Sequence, residues 1–300
     1  MTDRSENTRA ALWMVGSMAA FAVEDLFLKR AAADMPPGQV LVINGLIGGT
    51  IFALLALRRG EQPFSLAAFR GHALARNLAE AVAALLYILV LALAPLSFAA
   101  ALLQALPLMV TAGAALFLGE TVGWRRWTSI LVGLVGVMII LQPWNSGFDA
   151  IGLAMLASVA AVAVRDLVTR RMPATTGSMS LSCWGVYACV PGGVVLMIAR
   201  DEALILPGGG ASAGLAAAIV FGCIGYYMVV AAMRLGEVSV VAPFRYTRLV
   251  FSVLLAVVFL GERPTAAVML GAAIVTASGL YVLSRERKRK AGLPQSGAGG

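Results

Sequence analysis

The sequence is poor in charged residues, and this shortage excludes an ordinary soluble protein. Only 13% of its 300 residues are charged, whereas a soluble domain carries about 25%. So few charges cannot cover a water-exposed surface of this size. Because 60% of the residues are hydrophobic, we predict that lipid surrounds much of the chain.

Histidine and cysteine are also scarce, which argues against metal and redox chemistry. The only histidine is His72, and Cys183, Cys189 and Cys223 lie inside apolar runs without a Cys-x-x-Cys partner. We interpret the cysteines as small core residues. The sequence has no His-Glu-x-x-His motif and no Gly-x-x-x-x-Gly-Lys-Ser/Thr motif. We therefore expect no catalytic residues, metal, cofactor or nucleotide, and a protein that is not an enzyme.

Ten apolar runs fill most of the chain. Each is close to the length of about 20 residues that crosses a bilayer. All must be helices, because lipid offers no partner to an open backbone. Breaks rich in proline and glycine, such as 35–38, 142–147 and 207–210, separate several runs. The predicted spans are 11–33, 38–57, 72–93, 97–118, 125–142, 150–169, 177–199, 212–233, 239–260 and 264–283.

The basic residues predict the orientation of these spans. The net charge of +8 does not indicate nucleic-acid binding, because the 23 lysines and arginines are scattered between apolar runs. With the N-terminus inside, sixteen of them lie on the inner side. Only Lys29, Arg30, Arg200 and Arg263 lie outside. Since basic residues favour the cytoplasmic side, we predict a multi-pass protein of a bacterial inner membrane with both termini inside.

An internal repeat divides the spans into two groups of five. Residues 21–30 (FAVEDLFLKR) and 162–171 (VAVRDLVTRR) share five of ten positions. Leu118-Gly119-Glu120 and Leu260-Gly261-Glu262 repeat at nearly the same offset. Because five is odd, the second copy crosses the membrane in the opposite direction, as in many secondary transporters. The fold class is therefore an all-α membrane protein with two inverted five-helix repeats around a central cavity.

The repeat also sets the expected domain boundaries. They are a cytoplasmic N-terminus (1–9), a first repeat (10–142), an external linker (143–149), a second repeat (150–284) and a basic cytoplasmic tail (285–300).

These features resemble the EamA type of the drug/metabolite transporter superfamily, over residues 10–283. The resemblance lies in two five-helix halves that each close on Leu-Gly-Glu, and in Pro107, thirteen residues before Glu120. The second half departs from it, because Leu249 stands where the matching proline is expected and Pro243 lies six residues earlier. In overall character the chain is most similar to the amino-acid exporters of the YddG group. The resemblance implies export of amino acids and metabolites, or import of compounds such as riboflavin or S-adenosylmethionine.

Charged residues inside the spans are the first candidates for a site, because each costs about 2.5–3.5 kcal/mol on insertion scales. Glu24 and Arg165 occupy equivalent positions of the repeat with opposite charge. We predict that these two side chains pair near the middle of the membrane, either as a structural ion pair or as a gate or substrate contact. Arg76 lies four residues before Glu80 and is expected to help neutralise it.

Other polar and aromatic residues fall on faces of spans 1, 3, 4, 8 and 9. We assign those spans, with span 6, to the cavity wall and expect the two prolines to act as hinges. Snorkelling to the inner surface is the alternative explanation for Arg245 and Arg248, and interfacial anchoring is the alternative for the aromatics. The substrate-binding candidates are Trp13, Ser17, Glu24, Asn77, Glu80, Tyr87, Gln104, Thr111, Arg165, Tyr226, Tyr227, Tyr246 and Arg248, with Pro107 and Pro243 as hinges.

Spans 2, 5, 7 and 10 are apolar instead and carry small residues four apart. Examples are Gly45 with Gly49, and Gly185 with Cys189 and Gly193. This spacing lets helices approach closely, so we expect these spans to pack at the periphery.

The sequence therefore predicts a secondary transporter, functional as a monomer, that exports neutral or aromatic amino acids by alternating access. Few charges and several aromatics in the candidate wall suit a small zwitterion with an apolar side chain. The alternatives are import of a vitamin or nucleoside-like metabolite, multidrug efflux, and a scaffold or sensor.

Overall fold

The computed structural model describes residues 4–119, 123–146, 149–173, 176–235 and 238–291, and all regular structure in them is helical. Ten stretches are long and apolar enough to cross a membrane, which confirms the ten predicted runs. We number these spans 1 to 10. Their helices are Arg4–Asp34, Pro37–Arg58, Gly71–Leu93, Leu96–Leu103 with Leu106–Phe117, Trp124–Leu141, Ala150–Thr169, Ser178–Ala199, Gly209–Leu235, Val238–Val241 with Thr247–Leu260, and Ala266–Ala291.

Short helical turns lie in the connections. A 3₁₀ turn, Leu66–Phe69, precedes span 3, and a single turn, Pro143–Ser146, follows span 5. Glu120, residues 147–148 of the expected linker, and the tail from 292 onward are outside the described residues. The side chains of Ser239 and of the basic residues 285–290 are outside them as well.

Spans 4 and 9 are each interrupted close to a proline. In span 4 the helix breaks between Leu103 and Leu106, and Pro107 lies in the first turn of the next helix. Span 9 contains a 3₁₀ segment, Ala242–Tyr246, that includes Pro243. Proline cannot donate the backbone hydrogen bond that a continuous α-helix needs at its position, so a break near each proline is expected.

The spans pack in pairs, and every pair takes one span from each half. Span 1 packs along span 8, and span 3 packs along span 6. Span 2 packs on span 7, span 5 on span 10, and span 4 on span 9. If spans 1–5 are exchanged with their equivalents, spans 6–10, the same set of pairs results. Because each half has five spans, the two halves run in opposite directions, as the repeat predicts.

Spans 2 and 7, and spans 5 and 10, touch through glycines. A methyl group added to Gly193 would meet the carbonyl oxygen of Gly38, and one added to Gly271 would meet that of Gly136. The backbones are therefore in direct contact, as small residues permit in membranes.

Both termini of the described chain lie at one end of the bundle, because the number of spans is even. We call this end the terminal end and the other the opposite end.

Candidate functional site

The charged residues inside the spans form two clusters, and the first joins span 1 to span 9. Arg248 Nη2 donates hydrogen bonds to both carboxylate oxygens of Asp25, at 2.9 and 2.8 Å, and Nε donates to Oδ2 at 3.2 Å. The guanidinium also lies over the ring of Phe21, 5.2 Å from its centroid. This bidentate geometry is typical of strong arginine–carboxylate pairs. The pair links the two halves of the protein.

Tyr87 of span 3 borders this first cluster. Its buried hydroxyl lies beside the Asp25 carboxylate and close to Arg248. Tyr87 therefore brings span 3 into contact with the ion pair that joins spans 1 and 9.

The second cluster joins span 3 to span 6 through Arg165. Arg165 Nη1 donates to both oxygens of Glu80, at 3.0 and 3.1 Å. Its Nε and Nη2 donate to Oδ1 of the neighbouring Asp166, at 3.0 and 2.8 Å. Arg76 Nη2 lies 3.8 Å from Glu80 Oε2, which gives the predicted contact within span 3. Arg165, rather than Arg76, supplies the hydrogen bonds to Glu80.

Gly185 of span 7 faces this cluster. A methyl group at Gly185 would meet Nη1 of Arg76. This glycine, expected to serve helix packing, instead leaves space for a buried guanidinium.

The clusters lie between the helices, yet their side chains are partly accessible. The accessible fraction of the side chain is 27% for Arg165, 21% for Glu80, 28% for Asp166 and 21% for Arg248, although protein surrounds both guanidinium groups. Asp25 is 2% accessible. The interior of the bundle therefore contains an accessible space lined by ionic groups.

The predicted pair between Glu24 and Arg165 is wrong. Arg165 is bonded to Glu80 and Asp166, while the Glu24 carboxylate lies against Gly222 of span 8. Neighbouring residues on a helix point about 100° apart, so Asp25 faces span 9 while Glu24 faces span 8. Among the described residues, Glu24 has neither a hydrogen-bond nor an ion-pair partner.

Arg245 is the second charged residue near the clusters that has no hydrogen-bond or ion-pair partner among the described residues. It lies in the 3₁₀ segment of span 9, three residues before Arg248. Asp166, Arg165 and Arg248 are near enough to act on it electrostatically, but it forms no hydrogen bond or ion pair with described residues.

The interior charges balance in sign. Around the two clusters, only Glu24 and Arg245 lack a partner among the described residues; this set omits Arg126, which is buried at the start of span 5. The described residues contain no group of three or more His, Cys, Asp or Glu arranged for a metal ion. The four acids and four bases are Glu24, Asp25, Glu80, Asp166, Arg76, Arg165, Arg245 and Arg248.

The predicted stripe on span 1 packs against span 8. The Ser17 hydroxyl donates to the Gly225 carbonyl oxygen at 2.6 Å, and the rings of Trp13 and Tyr227 meet edge to face with centroids 6.3 Å apart. Glu24 lies on the same stripe. Ser17 and Trp13 thus hold spans 1 and 8 together.

Two predicted tyrosines bond or pack outside the clusters, although Tyr226 lies near Arg76 of the second one. The Tyr226 hydroxyl hydrogen-bonds to Ser182, and its ring contacts Phe52, so it faces spans 7 and 2. Tyr246 is buried against Gly279 of span 10, with no hydrogen bond to described residues.

Three further predicted residues bond to nearby backbone. Asn77 donates to Ala68 at 3.0 Å and so fixes the turn before span 3. Gln104 donates to Ala100 at 3.2 Å, and Thr111 donates to Pro107 at 2.8 Å. Both of the latter lie beside the break in span 4.

At the ends of the bundle, equivalent residues of the repeat make equivalent contacts. Arg30 Nη2 donates to the Phe259 carbonyl oxygen at 2.9 Å at the opposite end. Arg171 Nη2 donates to the Phe117 carbonyl oxygen at 3.1 Å at the terminal end. In each case an arginine at the end of span 1 or just after span 6 contacts the last turn of span 9 or 4. We call these contacts the end bonds.

The repeated Leu-Gly-Glu motif has a structural task at the opposite end. Glu262 accepts hydrogen bonds from the backbone of Leu96 and Ser97, at 2.6 and 3.0 Å, and from the Ser97 hydroxyl at 2.7 Å. It therefore caps the start of span 4, where a carboxylate also stabilises the helix dipole. The matching acid, Glu120, is outside the described residues.

Sequence reasoning left four interior residues out of its candidate set. These are Asp25, Asp166, Arg76 and Arg245. All four could have been recognised from the sequence, because each is a charged residue within a predicted span. Asp25 and Asp166 are also identical positions of the repeat.

The sequence profile of the EamA-like transporter family matches the chain twice, at residues 8–142 and 150–284. A riboflavin transporter of Rhizobium johnstonii is 28% identical, and the alignment covers 93% of this chain and 92% of that protein. A pseudopaline exporter of Pseudomonas aeruginosa is 26% identical over 89% and 93% of the two chains. An S-adenosylmethionine uptake transporter of Rickettsia felis is 24% identical over 66% of each.

A solved crystal structure has the same fold. It superposes with a TM-score of 0.63 at 21% identity, covering 93% of this chain and 99% of that one.

Proposed function

Because this chain belongs to the EamA-like transporter family, we propose that it carries small zwitterionic organic solutes by alternating access. Amino acids with apolar or aromatic side chains are the first candidates. The chain is a multi-pass membrane transporter rather than an enzyme, and its substrate is the open question.

The observation that carries this proposal is the pattern of interior charge. The two clusters are neutralised internally, which leaves one acid, Glu24, and one base, Arg245, without partners in the described residues. Unpaired charge within a membrane is costly. A solute with an ammonium group and a carboxylate offers a hydrogen-bonding partner to both the Glu24 carboxyl group and the Arg245 guanidinium, whereas a polyanion offers one only to Arg245.

An apolar solute group suits the residues beside the first cluster. Phe21, Tyr87 and the aliphatic residues around them supply aromatic and apolar surface next to Arg248. Trp13 of span 1 and Tyr227 of span 8 pack against each other closer to the terminal end.

Alternating access follows from the two inverted halves. Pro107 and Pro243 stand at the interruptions of spans 4 and 9, and we propose that the halves bend there. With no nucleotide motif in the sequence, ion or solute gradients supply the driving force.

The proposal also includes the setting of the protein. We place both termini in the cytoplasm of a bacterial cell, in its inner membrane, on the basis of the basic residues, and expect a functional monomer. Export remains our predicted direction. The named relatives include both an uptake transporter and an exporter.

Uptake of a vitamin is the second candidate, because two relatives that align over more than 90% of this chain are named riboflavin transporters. Riboflavin carries no carboxylate and no ammonium group. It therefore leaves the two unpaired residues without an ionic partner, which makes it the less favoured substrate. The interior charge pattern that supports amino-acid transport is also our reason to propose that the chain belongs to the YddG group.

Flux into liposomes that contain the purified protein tests the proposal. We expect phenylalanine, tyrosine, methionine and leucine to exchange faster than in empty vesicles, and glutamate to exchange little. Riboflavin and S-adenosylmethionine belong in the same panel. Flux of riboflavin without flux of any neutral amino acid would reject the amino-acid proposal.

A further inference from the structure

Arg245 occupies an unusual position in span 9. It lies in the 3₁₀ segment Ala242–Tyr246, within a stretch that otherwise has the length and hydropathy of a membrane span. Arg248 follows three residues later, at the start of the α-helix Thr247–Leu260, and helical residues three apart are neighbours on one side. Because Arg248 bonds to Asp25 of span 1, this side of span 9 faces the interior.

The surroundings of Arg245 exclude the snorkelling that its sequence position suggested. Protein surrounds the guanidinium, and its charged neighbours are Asp166, Arg165 and Arg248. The residue is nonetheless exposed. A side chain both surrounded and accessible lines the internal space and does not extend to a lipid headgroup.

The other interior arginines each have an acidic partner, although Nε of Arg76 makes no hydrogen bond to the described residues. Arg165 binds Glu80 and Asp166, and Arg248 binds Asp25. Arg245 alone presents a planar fork with no partner among the described residues. Such a fork matches a carboxylate in geometry and charge.

We infer that Arg245 binds the carboxylate of the transported solute, an inference that rests on the proposed transport of zwitterions. A single carboxylate fits better than a polyphosphate. Asp166 is nearby and repels additional negative charge, and the interior is balanced without a large positive excess. Arg245 then sets specificity for solutes that carry one acid group.

Binding assays with a matched pair of compounds test this inference. Phenylalanine and phenylalaninamide have the same ring and amine, but only the first has a carboxylate. Binding of each compound is measured directly by calorimetry on purified wild-type protein, Arg245→Gln, Arg245→Lys and the control Arg263→Gln, so that the readout does not depend on transport of a carboxylate tracer. Arg263 lies exposed in the loop after span 9. Melting temperature and size-exclusion profile verify that each variant is folded.

We expect the wild type and the Arg263 variant to prefer phenylalanine over its amide. The Gln variant should lose about tenfold to a hundredfold of this preference, which is the value of a charge-assisted hydrogen bond. The Lys variant should retain part, because it keeps the charge without the fork.

Two results overturn the inference, and they differ from each other. A folded Gln variant with unchanged preference shows that another group binds the carboxylate, while amino-acid transport stands. A wild-type protein that carries riboflavin but no carboxylate compound rejects the proposed substrate as well, and this appears before any variant is measured.

Discussion

The ends of the bundle keep the internal repeat in their contacts, whereas its middle has lost it. At the ends, Arg30 and Arg171 donate to the equivalent carbonyl oxygens of Phe259 and Phe117, at 2.9 and 3.1 Å. In the middle, equivalent positions hold opposite charges, as at Glu24 and Arg165.

The two equivalent aspartates show the same loss of symmetry. Asp25 pairs across the halves with Arg248 on span 9, while Asp166 pairs with the adjacent Arg165 on its own span. The matching acids therefore neutralise different partners.

This difference separates two tasks. Alternating access requires that the two ends open and close in the same way, so equivalent contacts at both ends suit it. A solute with a cationic end and an anionic end has no such symmetry, and a wall with different charges on the two halves suits it. The comparison gives three predictions, ordered by the size of the expected effect.

The largest effect is expected at the first cluster, because Asp25 depends on one partner. Arg248→Gln leaves a carboxylate with 2% accessible surface unpaired, and losing one partner of a buried pair costs about 3–5 kcal/mol. We expect a large fall in melting temperature and no transport. The double variant Asp25→Asn with Arg248→Gln should regain much of the stability, because it leaves no stranded charge. Additive losses in the two single variants and the double variant would show that the pair is not coupled.

A smaller effect is expected at the second cluster, because Arg165 has two acidic partners. In Glu80→Gln, Asp166 still binds the guanidinium, so we expect a stability loss of about 1–2 kcal/mol, near that of one charged hydrogen bond. Arg165→Gln strands two acids and should cost more. Equal losses of melting temperature in the two variants would mean that Asp166 contributes nothing, and would remove this contrast between the clusters.

The architecture could be predicted from the sequence because its signals are local. Apolar runs, basic loops and prolines specify spans, breaks and expected orientation residue by residue. The repeat adds the inverted arrangement, since an odd number of spans per half leaves no alternative. The ten spans are confirmed.

Partner choice could not be predicted, because it depends on the rotation of each helix about its axis. One residue along span 1 changes the direction of the side chain by about 100°. That step separates Asp25, which reaches Arg248, from Glu24, which faces Gly222. Equivalent positions in a repeat predict nearness to the symmetry axis but not which side chains meet there. The same limit applies to Tyr226 and Tyr246, whose rings face other spans.

The smallest effect on stability, and the sharpest test of the comparison, is expected from the end bonds. Arg30→Gln and Arg171→Gln each remove an exposed hydrogen bond, which is worth about 0.5–1.5 kcal/mol. Stability should therefore change little and equally. Conformation should change in opposite directions, because each variant loosens a different end.

Cys223 of span 8 is a natural reporter for this test, since it is half-buried and close to Glu24 in the interior. With Cys183 and Cys189 replaced by serine, a membrane-impermeant maleimide labels Cys223 from one side at a time, in spheroplasts or in inverted vesicles. We expect Arg30→Gln to speed labelling from the opposite end, and Arg171→Gln from the terminal end, each by about two- to tenfold. Arg263→Gln serves as the control and should change neither rate. If both end variants speed labelling from the same side, the end bonds are not equivalent in function and the symmetry at the ends is structural only.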